Sequence, residues 1–192
     1  AKHTVLAGVD YLHRTRDYQW GRNFGVPSID LHNPVYGYDF SSLVLNPSND
    51  EELTASQTGV YLQDQIKIGR LDLTGGVRHD WASTDFDNKL ANSKQSYDDT
   101  AWTWRVGALY TFDNGIAPYV SYATSFDPSL YTPPAGQSAF DPTTAKQYEF
   151  GVKYAPKGTN TLLTAAYYDL TQEGVVMGQW SGGQTVYRQI GE

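Results

Sequence analysis

The sequence predicts an all-β fold, and within that class an antiparallel transmembrane β-barrel wall with long loops at one end and short turns at the other. Three observations carry this expectation. The 192 residues include 15 Tyr, 5 Trp and 7 Phe beside 18 Gly and no Cys, a mixture rich in strand and turn formers and poor in helix signals. Apolar and polar residues alternate with a period of two through successive hairpins. The connections between those hairpins are tight and long by turns.

In chain order, Thr4 to His13 reads as a strand, with Val5, Ala7, Val9 and Tyr11 on one side. The clearest hairpin runs from Thr54 to Trp81. A two-residue turn at Gly69-Arg70 sets Ile68 opposite Leu71, so Val60, Leu62, Ile66 and Ile68 share a face with Leu71, Leu73, Val77 and Trp81. Asp72, Thr74, Gly76, Arg78 and Asp80 fall on the other face. That register also puts Asp64 among the apolar residues, so a bulge or a shifted register is expected there.

The next pair repeats the device: Trp102, Trp104, Val106, Ala108, Tyr110 and Phe112 alternate with Thr103, Arg105, Gly107 and Thr111. Asp113-Asn114-Gly115 then turns the chain into Ile116, Val120, Tyr122 and Phe126, which alternate with Tyr119, Ser121, Ala123 and Ser125. In a third pair Tyr148, Phe150, Val152 and Tyr154 alternate with Gln147, Glu149, Gly151 and Lys153. Pro156-Lys157-Gly158 leads into Thr161 to Leu170, whose faces are too alike to assign, and Val186 to Glu192 reads as a last strand.

Turns near 69, 113 and 157 are tight, and connections at about 15 to 53, 84 to 99, 127 to 144 and 172 to 185 are long. That alternation suits short periplasmic turns and long extracellular loops. A Lys or Arg facing lipid at the bilayer midplane costs roughly 2 to 4 kcal/mol, and Arg78, Arg105 and Lys153 all avoid the apolar set. Trp81, Trp102, Phe112, Phe126 and Tyr154 sit near strand ends, where interfacial rings are favoured.

No run approaches the roughly 18 apolar residues of a membrane helix, and the mean hydropathy is -0.51. Barrel strands face lipid with every second residue, so that value is compatible with crossing a bilayer. The net charge of -7 argues against nucleic acid as a partner. The alternatives left by pattern alone are a passive porin and a soluble ligand-binding β-domain.

Several strings are specific. Gln57-Thr58-Gly59-Val60-Tyr61-Leu62-Gln63-Asp64-Gln65, Gly75-Gly76-Val77-Arg78-His79-Asp80, Pro118-Tyr119-Val120-Ser121-Tyr122-Ala123-Thr124-Ser125-Phe126 and Lys146-Gln147-Tyr148-Glu149-Phe150-Gly151-Val152-Lys153-Tyr154 resemble the barrel of TonB-dependent siderophore receptors, the ferrichrome-type hydroxamate group above all. Asn33-Pro34-Val35-Tyr36-Gly37 resembles the same group. The resemblance implies a plugged barrel of about 22 strands in the bacterial outer membrane. On it, residues 1–192 are expected to be part of a receptor barrel domain, about eight strands of the wall, without the plug domain and the last carboxy-terminal strands.

No signature of catalysis stands out, so an enzyme is not expected. His3, His13, His32 and His79 lack ligand spacing, and no phosphate loop or nucleophile elbow occurs. An iron(III)–siderophore complex brings its own oxygen ligands, so no intrinsic cofactor or protein metal site is expected. The resemblance implies that rings near the lumen mouth grip it. The candidates are Trp20, Phe24, Tyr36, Tyr38 and Phe40 in the first long loop, Tyr131 in the third and Trp180 in the fourth; each could instead pack loops or anchor at headgroups. Arg78, Arg105, Glu149 and Lys153 are lumen-facing candidates for holding the plug, with plain solvation as the alternative. The implied partners are a ferric siderophore, TonB through an amino-terminal region, outer-membrane lipid or lipopolysaccharide, and phage or colicin at the loops. The receptor is expected to be a monomer.

Overall fold

A computed structural model describes residues 1–26, 28–131, 138–181 and 184–191. Among these residues nine strands follow in order: β1 (Lys2–Arg22), β2 (Asn46–Ile68), β3 (Leu71–Asn88), β4 (Ser93–Tyr110), β5 (Ile116–Asp127), β6 (Thr143–Tyr154), β7 (Leu163–Glu173), β8 (Val175–Ser181) and β9 (Gln184–Ile190). The first seven form one antiparallel sheet with each strand beside its chain neighbour, and β8 and β9 pair as a hairpin. Such a meander is the topology of an up-and-down barrel wall.

The turn chemistry sets the register. Gly69 takes φ 60°, the left-handed first position that a two-residue hairpin turn demands, and Ile68 lies opposite Leu71 as the sequence predicts. Gly115 (φ 85°) and Gly158 (φ 78°) serve the other two short turns.

The opposite ends correct the sequence reading. The long connection expected at 84 to 99 is mostly strand, because β3 and β4 remain paired up to Asn88 and Ser93 around a turn of four residues. The first long loop shrinks likewise, since β1 and β2 stay paired up to Arg22 and Asn46. The polar upper segments carry little hydrophobic alternation, because their convex face meets water and their buried inner face includes polar Thr84 and small Ala82 beside Phe86, and so they read as loops. The strand expected to end at Glu192 is β9; that residue lies outside the described residues, and at Gly191 the chain runs beside the backbone of Gln172 and Glu173. β9 therefore returns toward the free edge of β7.

Two faces emerge. Gln63, Thr74, Arg105, Gly107, Tyr119, Ser121 and Lys153 line a concave trough of about 670 Å³, and Arg78 and Arg105 share the hollow above it. This is the inner face. On the convex face rings pack edge to edge: Trp104 and Tyr122 have centroids 4.7 Å apart, Tyr122 and Tyr148 4.5 Å, Phe150 and Tyr167 5.1 Å. Trp104, Val106 and Val152 remain 46%, 48% and 38% exposed. They form no sealed core, which removes the soluble β-domain as a reading of this face.

Asp64 is not explained by a bulge. The ladders run unbroken through Val5↔Asp64 and Asp64↔Gly75, so its carboxylate stands on the convex face, where its Oδ2 lies 2.7 Å from His3 Nδ1. The neighbouring histidine supplies the partner that hydrocarbon cannot.

A small core forms above the membrane level. Leu53 (2% exposed), Ala55 and Phe86 (4%) cluster on the inner face of β2 and β3, with Tyr97 of β4 and Leu130 of the loop after β5 against them.

Candidate functional site

The inner wall is a set of short-range networks fixed by register. Asp10, Gly59 and Asp80 lie in one row across β1, β2 and β3. Arg78 on the same face forks between its neighbours: its terminal nitrogens donate to Asp10 at 2.5 and 2.9 Å, and Nε donates to Asp80 at 2.8 Å. Asp80, whose side chain is buried, also accepts from Gln57 at 2.9 Å. The guanidinium lies directly over Gly59, so closely that a Cβ there would overlap it. A planar fork satisfied at both ends is stronger than a single ion pair.

Lower on the wall, Arg105 donates to Gln63. Glu149 accepts from the Tyr119 hydroxyl at 2.5 Å and from Gln147 at 3.1 Å, and the Lys153 ammonium lies 5.2 Å from the Tyr119 ring centroid. Arg78, Arg105, Glu149 and Lys153 share one face of the sheet, and each has a neighbour on the wall itself. Sequence reading missed their partners Asp10, Gln57, Gln63, Asp80 and Tyr119. The signal was available: equal parity on strands whose register Gly69-Arg70 had already fixed.

The mouth is less unified. Trp20 is not in a loop but on β1, opposite Asn49, and the Arg22 guanidinium lies 4.5 Å from its ring and 5.5 Å from that of Phe24. Tyr38 and Phe40 meet at 6.4 Å in a segment pinned by Asn23 donating to the Val44 carbonyl at 2.7 Å. The Ser41 side chain and N–H hold the Asp39 carboxyl below the usual carboxylate range. Tyr36 is exposed. Tyr131 packs on Tyr187 of β9 at 5.6 Å, and Trp180 stands exposed on β8 rather than in a loop. The seven expected rings thus fall into separate groups, with no ring contact between groups among the described residues.

The third loop ties the mouth together. Leu130 joins the Leu53–Phe86 cluster, while Gln189 of β9 donates to the Asp141 carbonyl at 2.6 Å and accepts from the Asp141 N–H at 3.0 Å. One loop is therefore fastened to the tall β2–β4 hairpins and to the β8–β9 hairpin. Outside, ion pairs decorate the rim: Lys89 with Glu52 at 3.1 Å and Lys94 with Asp87 at 2.9 Å, each carboxylate raising its lysine above the usual range. Exposed pairs of this kind add little to stability.

A charged, networked inner wall, a convex face of rings and tall hairpins gathered over one mouth fit the wall of an outer-membrane β-barrel. Over residues 1–192 the chain matches the family described as TonB dependent receptor-like, beta-barrel, and it belongs to that family. It is 39% identical over 186 residues to the ferrichrome outer membrane transporter/phage receptor of Escherichia coli K12, a match covering 94% of this chain and 25% of that protein. It is 37% identical over 190 residues to the ferrioxamine B receptor of Salmonella typhimurium, covering 99% of this chain and 26% of the relative. The chain therefore spans about a quarter of the length of these relatives. Among solved structures, the closed form of the ferric-catecholate import receptor Fiu from E. coli K12 superposes with a TM-score of 0.72 at 22% identity, over 97% of this chain and 30% of that one. This likeness shows the shared barrel fold.

Proposed function

We propose that this chain is part of the wall and mouth of a receptor that imports a ferric hydroxamate siderophore, with energy delivered through TonB. The observation that carries the reading is the similarity to ferrichrome and ferrioxamine B receptors across both strands and mouth segments, at 39% and 37% identity. The family is one of receptors and transporters, and the reading requires no chemistry on the ligand. The iron(III) travels as cargo with its oxygen ligands supplied by the siderophore, so the mouth needs shape, ring faces and a few hydrogen bonds.

Arg22 between Trp20 and Phe24 suits that task, because it joins a cation to two ring faces above the lumen. Tyr36, Tyr38, Phe40, Tyr131 and Trp180 are further contact candidates. Arg78, Arg105 and Glu149 already have hydrogen-bond partners within the wall, and the Lys153 ammonium lies by the Tyr119 ring, so a plug would meet a largely pre-organised surface. Lipopolysaccharide around the convex face, and phage or colicin at the mouth, complete the proposed set of partners.

The test is growth of an iron-starved deletion strain on a panel of siderophores, together with binding by the purified receptor. The expected result is selective loss of ferric hydroxamate use and binding in the micromolar range or tighter. Unchanged use of every siderophore overturns the reading.

A further inference from the structure

β4 is flanked by chain neighbours on both sides, yet it is paired on both sides over a small part of its length. Its ladder with β3 runs from Ser93 to Tyr110, whereas its ladder with β5 covers Arg105 to Leu109 alone. Above that point β5 turns away, and the Thr124 hydroxyl takes the place of a strand partner, 3.0 Å from the Trp104 nitrogen. Strand alternation turns the N–H and C=O groups of Trp102, Thr100, Asp98, Ser96 and Lys94 toward the same open side. No backbone hydrogen bond joins these groups to the loop that follows β5 among the described residues.

Unpaired edges template the addition of another strand, and proteins commonly block them with proline, bulges or brevity. This edge has none of those devices: its ladder with β3 shows no register shift, and no proline or glycine occurs between 93 and 106. It has charge instead. Asp98 and Asp99 sit at its centre, Asp141 of the neighbouring loop is close enough to act on Asp99, and among the described residues no cation pairs with any of the three. Burial, then Asp141 and Asp98, hold the Asp99 carboxyl above the usual range.

The charge selects the occupant. Antiparallel pairing of two copies along residues 94 to 102 would centre on Asp98 opposite Asp98, which like-charge repulsion opposes. A strand with positive charge at its middle meets the opposite situation. At the foot of the edge, Trp102, Trp104, Tyr122 and Phe126 line a cleft of about 230 Å³ where β4 and β5 part, a seat for an apolar end residue.

From this geometry we propose that the upper edge of β4, residues 94 to 102, is a strand-addition site for a cationic extended segment of a partner polypeptide arriving from outside the cell. The proposal rests on the receptor reading for its orientation. Addition supplies main-chain hydrogen bonds as the source of affinity, and Asp98 and Asp99 set the preference for Lys or Arg. The acidic edge thereby excludes self-association and admits a basic strand.

The experiment uses the intact receptor in detergent and a nine-residue peptide of alternating Thr and Val with two central Lys, compared with its two-Glu counterpart. The Lys peptide is expected to bind at least tenfold more tightly. Ser96→Pro, which removes an edge N–H and no ladder bond, should weaken it at least tenfold. The double reversal Asp98→Lys/Asp99→Lys should transfer the preference to the Glu peptide, a gain that a misfolded variant cannot produce. Equal binding of both peptides, binding untouched by Ser96→Pro, or no binding of either overturns the proposal. Whole-cell labelling of Asp98→Cys with a membrane-impermeant maleimide checks the side separately: labelling is expected, and its absence sinks the receptor orientation whatever the peptides do.

Discussion

The tall and the short halves of the wall obey different rules. β1 to β4 have 18 to 23 residues, β5 to β7 11 or 12; at roughly 3.3 Å per residue the tall strands extend about 20 to 40 Å further. The well-buried cluster of the chain, Leu53, Ala55 and Phe86, is in that extension, while the paired rings lower down remain open to their surroundings. Strands inside a bilayer can leave apolar side chains to hydrocarbon and polar ones to the lumen. Strands in water must supply their own core.

That contrast can be broken in order of expected effect. Phe86→Ala should remove roughly 3 to 5 kcal/mol of local stability, the usual cost of truncating a buried aromatic. Limited proteolysis should then cut the tall hairpins while the membrane ladder stays protected; loss of the whole barrel would mean the two halves fold as one unit.

The next effect compares solvents along one face. Val120→Lys, on the convex face within the bilayer, should cost roughly 2 to 4 kcal/mol in refolding into lipid vesicles. Ser121→Lys, one residue on and facing the lumen, and Asp85→Lys, on the convex face but above the membrane, should each cost far less. Equal penalties at 120 and 121 would remove the assignment of faces.

Arg78→Ala leaves the buried Asp80 carboxylate with the Gln57 amide as its remaining side-chain partner, and should cost roughly 1 to 3 kcal/mol. Arg78→Lys should recover little, since an ammonium cannot fork between Asp10 and Asp80. Urea midpoints of the single variants and of Arg78→Ala combined with Asp10→Asn would measure the coupling.

The smallest effect is a pH dependence at Asp99. Its carboxyl is held above the unfolded value, so the folded state binds the extra proton more readily than the unfolded chain. Stability contributed by protonation should therefore appear as pH falls below the folded value and be lost as pH rises through it. Once the intrinsic slowing of exchange in acid is divided out, the protection of the upper β4 ladder should rise on acidification, and Asp99→Asn should abolish that rise.

Much of the lower wall is legible in the sequence because two independent constraints coincide there. A period of two has no freedom once Gly69-Arg70 fixes the turn, and lipid forbids Arg78, Arg105 and Lys153 from one of the two faces. The upper wall lacks the second constraint. Ser83 to Asn88 and Ser93 to Thr100 meet water on the convex side, so their hydrophobicity carries no strand signal although their ladder is complete. The mouth rings are illegible for another reason: which ring meets which depends on loop paths, as Leu130 and Tyr131 show by fastening one loop to two hairpins. Asp64 misleads because its partner His3 is sixty-one residues away in sequence.

The close seat of the Arg78 guanidinium on Gly59 has a genetic consequence. Position 59 has no room for even a methyl group while Arg78 keeps its place, so variation at the two sites is tied. Gly59→Ala alone should push the guanidinium off its seat between Asp10 and Asp80, and it should be better tolerated in a lineage that already carries a shorter residue at 78.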